Sequence, residues 1–332
     1  MTATCDFCWR YCSIESGERG FCGIREHRAE GIITINYGKL LAASVEPLEK
    51  KPLYHFRPGT KTLSVALFGC NYRCGFCQNH DLSQKTSPMY PGPWKDYDEG
   101  LDTSPLQLVN RMKECKVSTM TYTYSEPVVW QDYMLDTAKL VKEAGGYNCM
   151  ITNGSFSSAA RERIVPLIDG FNIDVKGDEE FYRTYCKASL RPVLETLEAV
   201  CDLPGKVVEA TTLVIEGIHD IDDIQWLGHR LKDAGVSVWH LSRFFPHYNM
   251  DNRAPTTERF LSQAIEAAES CGIPYVYAGN SGNEHYAKTR CPNCRTEIIS
   301  RRGYYVHVEE ELYEHLLLGK CTECGESIYG FF

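Results

Sequence analysis

The chain has 332 residues, with 35 Lys+Arg against 44 Asp+Glu, a formal net charge of −9 and 16 cysteines. Hydrophobic residues make up 43% of it, enough for a real core, so global disorder is excluded, and no apolar run is long enough to span a membrane. The acidic balance argues against a general attraction to nucleic acid phosphate.

Met1–Thr4 leads straight into a cysteine cluster without the apolar stretch of a secretory signal. Cysteines in such numbers then predict thiols kept reduced in a cytoplasm, many of them as metal ligands. Residues 1–60 read as a small N-terminal metal-binding module carrying Cys5, Cys8, Cys12 and Cys22. Four thiolates make a closed ligand set. Zinc would make it scaffolding and an iron–sulfur cluster would make it an electron relay, with zinc the preferred occupant. Residues 31–59 add short β-like runs such as Ile32–Tyr37, and the Pro58-Gly59 turn marks the entry to the next unit.

From 61 to 285 short apolar runs alternate with amphipathic ones, the mark of βα units around a parallel sheet. Strands are expected near Leu63–Phe68, Thr119–Tyr124, Tyr147–Ile151, Phe171–Val175, Val207–Ile215, Val236–Leu241 and Pro274–Tyr277. Helical periodicity covers Leu106–Cys115, Val128–Ala144, Ile221–Ala234 and Thr257–Cys271, the last stopped by Gly272. Gly92–Ser104, rich in Pro, Gly and acidic residues, reads as a surface loop. Six βα units and a further strand predict an α/β fold, an open partial (βα)6 TIM barrel. Its site should lie in the loops at the C-terminal ends of the strands.

Cys70, Cys74 and Cys77 follow the first barrel strand directly. Three thiolates in so short a loop can hold three corners of a cubane and leave the fourth iron open for a substrate, whereas a closed zinc site would need a fourth ligand such as His80. Residues 286–332 form the last unit. Cys291-x2-Cys294 and Cys321-x2-Cys324 are two knuckles of a zinc-ribbon or rubredoxin-like module, with zinc preferred over iron. Arg301-Arg302 could contact phosphate there. Glu309-Glu310-Glu311 lies close by, and a solvated face is the simpler reading.

The segment Gly69–Asn79, with Cys70-x3-Cys74-x-Phe76-Cys77, resembles the C-x3-C-x-aromatic-C signature of radical S-adenosylmethionine (SAM) enzymes. The resemblance implies a [4Fe-4S] cluster at Cys70, Cys74 and Cys77, with Phe76 beside the cofactor. The fourth iron would be chelated by SAM, and one-electron cleavage would give methionine and a 5′-deoxyadenosyl radical that abstracts hydrogen. Tyr124-Ser125-Glu126-Pro127 resembles the Gly-Gly-Glu-Pro segment of the glycyl-radical-activating branch, where Glu126 would take the SAM amino group. Ser125 departs from the second glycine. Thr152-Asn153-Gly154 resembles Asp-Thr-Asn-Gly with Ile151 in place of the Asp, and Asp174-Val175-Lys176 resembles Asp-x-Lys, where Lys176 would hold the SAM carboxylate. Taken singly, such short motifs are usually only a helix start, a turn or surface charge. Over its whole length the chain resembles the radical SAM component of the AmmeMemoRadiSam system, a pyruvate formate-lyase-activating-enzyme-like family. Residues 46–56, Cys77-Gln78-Asn79 and residues 239–246 carry that resemblance.

His240, Arg243 and His247 follow the sixth strand; His240 is taken as a cofactor contact, against the alternative of a hydrogen-bonded structural histidine. Tyr54 and His55 could line the mouth or staple the N-terminal module. Cys186 could relay a radical, but a lone cysteine usually packs as a small apolar group, as would Cys115, Cys149, Cys201 and Cys271. The expected function is radical initiation on a protein glycyl or peptidyl site. The alternatives are a small-molecule substrate or a non-catalytic metal-binding protein. Expected partners are SAM, a low-potential donor such as ferredoxin or flavodoxin, and a protein substrate, with no membrane and no nucleic acid.

Overall fold

The computed structural model describes residues 2–84, 100–308 and 316–332. Most of the expected Gly92–Ser104 loop and the Glu309–Glu311 run lie outside the described residues. At the centre is an eight-stranded sheet. Its strands are β1 (Ala42–Pro47), β2 (Lys61–Ala66), β3 (Thr119–Tyr122), β4 (Tyr147–Thr152), β5 (Gly170–Asp174), β6 (Val207–Val214), β7 (Val238–Arg243) and β8 (Tyr275–Gly279). They follow one another in chain order across the sheet. All neighbours are parallel except β1 and β2, which pair antiparallel from Ala42 opposite Ala66 to Pro47 opposite Lys61. The sheet thus begins inside the segment expected to form the N-terminal module. Seven parallel strands and the helices between them make the predicted open α/β barrel.

Helices α1 (Pro105–Glu114), α2 (Gln131–Glu143), α3 (Ser158–Ile164), α4 (Arg191–Val200), α5 (Ile221–Asp233) and α6 (Glu258–Ser270) fill the crossovers. Their boundaries follow from side-chain caps. Ser104 and Gln107 form a reciprocal capping box on α1, and Asp220 and Asp223 form one on α5. Thr257 caps α6, and Gly272 adopts a φ of +79° just beyond it. Helices cover the sheet from outside, so Leu63, Val65, Met120, Tyr122, Met150, Phe171 and Ile173 lie fully buried among Trp130, Ile164 and Leu197. Because strand side chains alternate between faces, the residues between them are available to the barrel interior. Thr62 and Thr121 are such residues, joined hydroxyl to hydroxyl at 2.7 Å.

The interior is layered. On β6, Glu209, Thr211 and Leu213 share a face; on β7, His240 and Ser242 do. Thr211, Leu213 and Ser242 line the main cavity, which places Glu209 and His240 one layer below it. Glu209 is fully buried and accepts the backbone N–H groups of Tyr54 (3.0 Å) and His55 (2.8 Å) and the Nε2 of His240 (2.7 Å). His55 continues the network to the Tyr277 hydroxyl at 2.7 Å. That hydroxyl meets Thr289 at 2.8 Å, and Thr289 takes the Arg301 guanidinium at 2.8 Å. Arg301 also donates to the Tyr54 carbonyl at 2.8 Å, and the Tyr329 carbonyl meets His55 Nδ1 at 2.6 Å. The segment before β2 and the C-terminal strands Glu297–Arg302 and Tyr305–His307 are thereby stitched to the bottom of the barrel.

Two expectations change here. His240 does not face the mouth: it is 2% exposed and serves the Glu209 network. Arg301 is neither a phosphate contact nor part of a solvated face, being 3% exposed and hydrogen-bonded inside, whereas exposed Arg302 reaches Glu284 at 3.4 Å. Tyr54 and His55 staple the barrel floor rather than lining the mouth.

Burial pushes the Glu209 carboxyl up, but the His240 hydrogen bond and the charges of His240 and His55 outweigh it and hold the group below the usual carboxylate range. Glu209→Ala leaves three donors without their acceptor, and the expected loss is about 4 kcal/mol in a urea titration at pH 7. A depressed folded-state pKa stabilises above the unfolded value and fails as pH falls through the folded one. The difference between wild type and Glu209→Ala should therefore hold at neutral pH and shrink below about pH 4.

Candidate functional site

A cavity opens at the C-terminal ends of the strands. It is lined by Cys70, Cys74, Cys77 and Phe76 from the loop after β2, Ser125 and Glu126 after β3, Thr152 and Asn153 at the end of β4, and Asp174 and Lys176 at the end of β5. The structure therefore brings together every residue that the resemblance singled out for the cofactor, His240 excepted. Thr211, Leu213, Ser242 and Asn280 also line it. They carried no motif, and only their place at strand ends pointed to them.

The cysteine loop is held from three sides. Gly69 enters it at a φ of +116°, and a Cβ there would sit 2.9 Å from Ile24 Cδ1, so the glycine permits both the turn and the approach of the N-terminal segment. Arg73 donates to the carbonyls of Cys70 (2.8 Å), Tyr72 (2.7 Å) and Phe21. The backbone N–H of Tyr72 points at the Cys70 sulfur at 3.3 Å, and Ser83 Oγ lies 3.1 Å from the Cys77 sulfur. Burial pushes the Cys70 thiol well up and the Cys77 thiol to about 11, so a bound cation is what would hold these groups as thiolates. The fully buried Cys186 sits beside Cys74, and their hydrogen bond together with burial raises the Cys74 thiol.

Glu126 is the electrostatic centre of the opposite wall. It is 3% exposed and accepts from Thr152 Oγ1 at 2.6 Å, from the Asn153 N–H at 2.8 Å and from the Val128 N–H at 3.2 Å. These three partners are neutral. Burial pushes its carboxyl up to about 7 in spite of them. A cation placed beside it would pull the proton off and gain a charge-assisted hydrogen bond. Lys176 stands 2.8 Å from Asp174; burial alone would lower its ammonium, but Asp174 outweighs that and keeps it charged. The cavity thus offers a buried carboxyl and, from the end of β5, a partly buried ammonium.

The departure in the loop after β3 falls on a different residue than expected. Tyr124 holds a φ of +68°, the left-handed conformation that glycine adopts freely, while Ser125 is the residue whose hydroxyl accepts from Trp130 Nε1 at 3.1 Å. A tyrosine in that region costs roughly 1 kcal/mol, and its side chain compensates. The Tyr124 hydroxyl bonds Glu46 on β1, and Lys51 Nζ lies 4.2 Å from its ring centre. Lys50 and Lys51 both pair with Glu46, and although burial raises that carboxyl, their bonds bring it down to about 2. The Glu46–Lys51 segment therefore props the loop that carries Glu126. In the loop after β4, Gly154 has a φ of +69°, and a Cβ there would stand 2.6 Å from Ile173 Cγ2.

The two outer cysteine groups differ in geometry. In the C-terminal group the sulfurs of Cys291 and Cys324 are 3.5 Å apart, those of Cys294 and Cys321 are 3.6 Å apart, and all four lie within 4.8 Å of one another. That spacing suits one tetrahedral ion at a metal–sulfur distance of about 2.3 Å. Cys5, Cys8, Cys12 and Cys22 instead surround a second, smaller cavity. Of the single cysteines, Cys149, Cys186 and Cys271 are buried, and Cys115 is exposed. No helix among the described residues is long and apolar enough to cross a membrane.

Residues 65–229 match the model of the radical SAM superfamily. An uncharacterized protein of Methanocaldococcus jannaschii is 36% identical over 327 residues, covering 98% of this chain and 94% of that protein. A putative glycyl-radical enzyme activating enzyme of the same organism is 23% identical over 195 residues, covering 57% and 75%. Its 7-carboxy-7-deazaguanine synthase is 21% identical over 224 residues, covering 64% and 85%. Among solved structures, TYW1 with a lysine-pyruvate adduct bound is 14% identical with a TM-score of 0.49, over 72% of this chain and 87% of that one. The cysteine loop, the strand-end cavity and the match across both agree, and the chain belongs to the radical SAM superfamily.

Proposed function

We propose that this protein binds SAM against a [4Fe-4S] cluster at Cys70, Cys74 and Cys77 and initiates radical chemistry on a glycyl site of a protein substrate. The observation that carries the reading is the convergence of these three cysteines, Glu126 and the Asp174–Lys176 pair on one cavity. The group bound there would supply reductive cleavage of SAM to methionine and a hydrogen-abstracting 5′-deoxyadenosyl radical. The residues of the chain do the rest. Cys70, Cys74 and Cys77 hold the irons, Glu126 accepts from the SAM ammonium, Lys176 takes its carboxylate, and Phe76, Ser125, Thr152 and Asn153 line the cofactor's bed. Two relatives at 23% identity named as putative glycyl-radical enzyme activating enzymes support the activase side of the reading. It matches a place in the AmmeMemoRadiSam system, with a low-potential ferredoxin or flavodoxin as donor in the cytoplasm.

In this reading Cys74→Ala reduces 5′-deoxyadenosine formation from SAM and dithionite to background under anaerobic conditions. Retained cleavage would contradict the assignment of the cluster.

Glu126→Gln weakens SAM about 10-fold in equilibrium binding, the equivalent of one lost charge-assisted bond. Because the carboxyl titrates near 7 in the free protein, wild-type affinity should rise as pH increases through that value, while the Gln variant stays flat. Incubation with an extract carrying deuterated glycine should place deuterium in 5′-deoxyadenosine from the protein fraction. Transfer only from the small-molecule fraction would favour a small substrate instead.

A further inference from the structure

We infer that Ser83 and Cys186 are positioning residues that each donate a hydrogen bond to one cysteine sulfur of the central loop, Ser83 to Cys77 and Cys186 to Cys74, and so raise the reduction potential of the cluster held there. The inference rests on the cluster reading of Cys70, Cys74 and Cys77 and concerns what surrounds their sulfurs. A thiolate bound to iron carries no proton, so a neighbouring hydroxyl or thiol can only donate to it. Ser83 is 2% exposed and ends the helical turn His80–Ser83. Its Oγ stands 3.1 Å from the Cys77 sulfur, and Gln84 Nε2 donates to the same Oγ at 2.9 Å. The serine oxygen thus accepts from an amide while its own hydrogen points to Cys77, and a hydroxyl polarised in this way is the stronger donor. The turn cannot drift from the loop, because the Leu82 carbonyl accepts the Gly69 N–H at 3.0 Å.

Cys186 is placed by a different element. It closes the π-helical turn Tyr182–Cys186, a rare conformation that recurs at functional sites. The N–H groups on either side of Cys74, those of Arg73 and Gly75, donate to the carbonyls of Cys186 at 2.8 Å and Tyr185 at 3.0 Å. The turn therefore runs alongside the loop with the Cys186 thiol hydrogen-bonded to Cys74. Ring contacts between Tyr72 and Tyr182 (6.0 Å) and between Phe76 and Phe181 (5.7 Å) hold that register. The third sulfur, that of Cys70, faces the Tyr72 N–H at 3.3 Å. Each of the three sulfurs thus meets its own donor, and two of the three donors are side chains. A donor aimed at a ligand sulfur stabilises the extra negative charge of a reduced cluster, one of the levers by which a protein sets its potential. Cys186 then acts as more than a small apolar filler.

The test is a potentiometric titration of the full chain, reconstituted anaerobically with iron and sulfide and followed by the electron paramagnetic resonance signal of the reduced cluster without SAM. Ser83→Ala should keep its iron and sulfide and lower the midpoint by about 40 mV, which is a reduced-to-oxidised ratio about fivefold smaller at a fixed donor potential. Cys186→Ala should move the midpoint the same way, and Cys186→Ser, which retains a donor, should restore it. An unchanged midpoint in Ser83→Ala, or equal shifts in Cys186→Ala and Cys186→Ser, would overturn the inference. If Ser83→Ala does not retain iron, the two Cys186 variants decide by the same comparison. Failure of the cluster reading itself would look different, because wild type would then hold no iron with sulfide at this loop and Cys74→Ala would leave the signal untouched.

Discussion

Three loops at neighbouring strand ends are locked to one another by two polar side chains, and the site exists because of that lock. Glu126 donates its own N–H to the Gly69 carbonyl at 3.1 Å and accepts the Asn153 N–H at 2.8 Å. Asn153 in turn donates from Nδ2 to Asn71 Oδ1 at 2.7 Å. The loops after β2, β3 and β4 thus share one hydrogen-bond network, in a buried setting where an unmade bond is costly. The cysteines of the first loop and a carboxyl on the second are thereby fixed relative to each other, the preorganisation that the proposed chemistry would need.

The barrel uses two buried glutamates in opposite ways. At the floor, Glu209 faces His240, and that hydrogen bond keeps it ionised and structural. At the mouth, Glu126 meets only neutral donors, and burial lifts it to about 7. One stabilises the fold; the other is left able to gain from a cation. The same alternation of strand side chains that places Ser242 at the cavity drops His240 a layer below it.

That layering explains how much of the protein was legible. Period-2 and period-3.6 patterns located the seven parallel strands and the long helices, because buried parallel strands must be nearly continuous in apolar residues. Motifs singled out Cys70, Glu126, Asn153 and Lys176, and the fold brings them to one cavity because each follows a strand or ends one. Depth inside the barrel was not legible for His240, since sequence alone does not say on which layer an inward residue lies. Arg301 was misread for a related reason: charged side chains are normally exposed, and only the tertiary pairing with Thr289 and the Tyr54 carbonyl makes its burial tolerable. Antiparallel β1 escaped notice because Ala42–Pro47 carries little apolar pattern of its own and pairs with β2 across a long connection. Tyr124 shows the converse case. The backbone there is left-handed, a position that glycine takes freely, and this chain fills it with a tyrosine propped by Glu46 and Lys51.

The central claim is that the three-cysteine loop leaves one iron open and that SAM occupies it. Electron–nuclear double resonance on the reduced protein, with SAM labelled by nitrogen-15 in its amino group and oxygen-17 in its carboxylate, tests this directly. The account predicts hyperfine couplings from both labels, lost in Cys74→Ala and weakened in the nitrogen channel by Glu126→Gln. A reduced cluster that binds SAM yet shows no coupling to either label would contradict it.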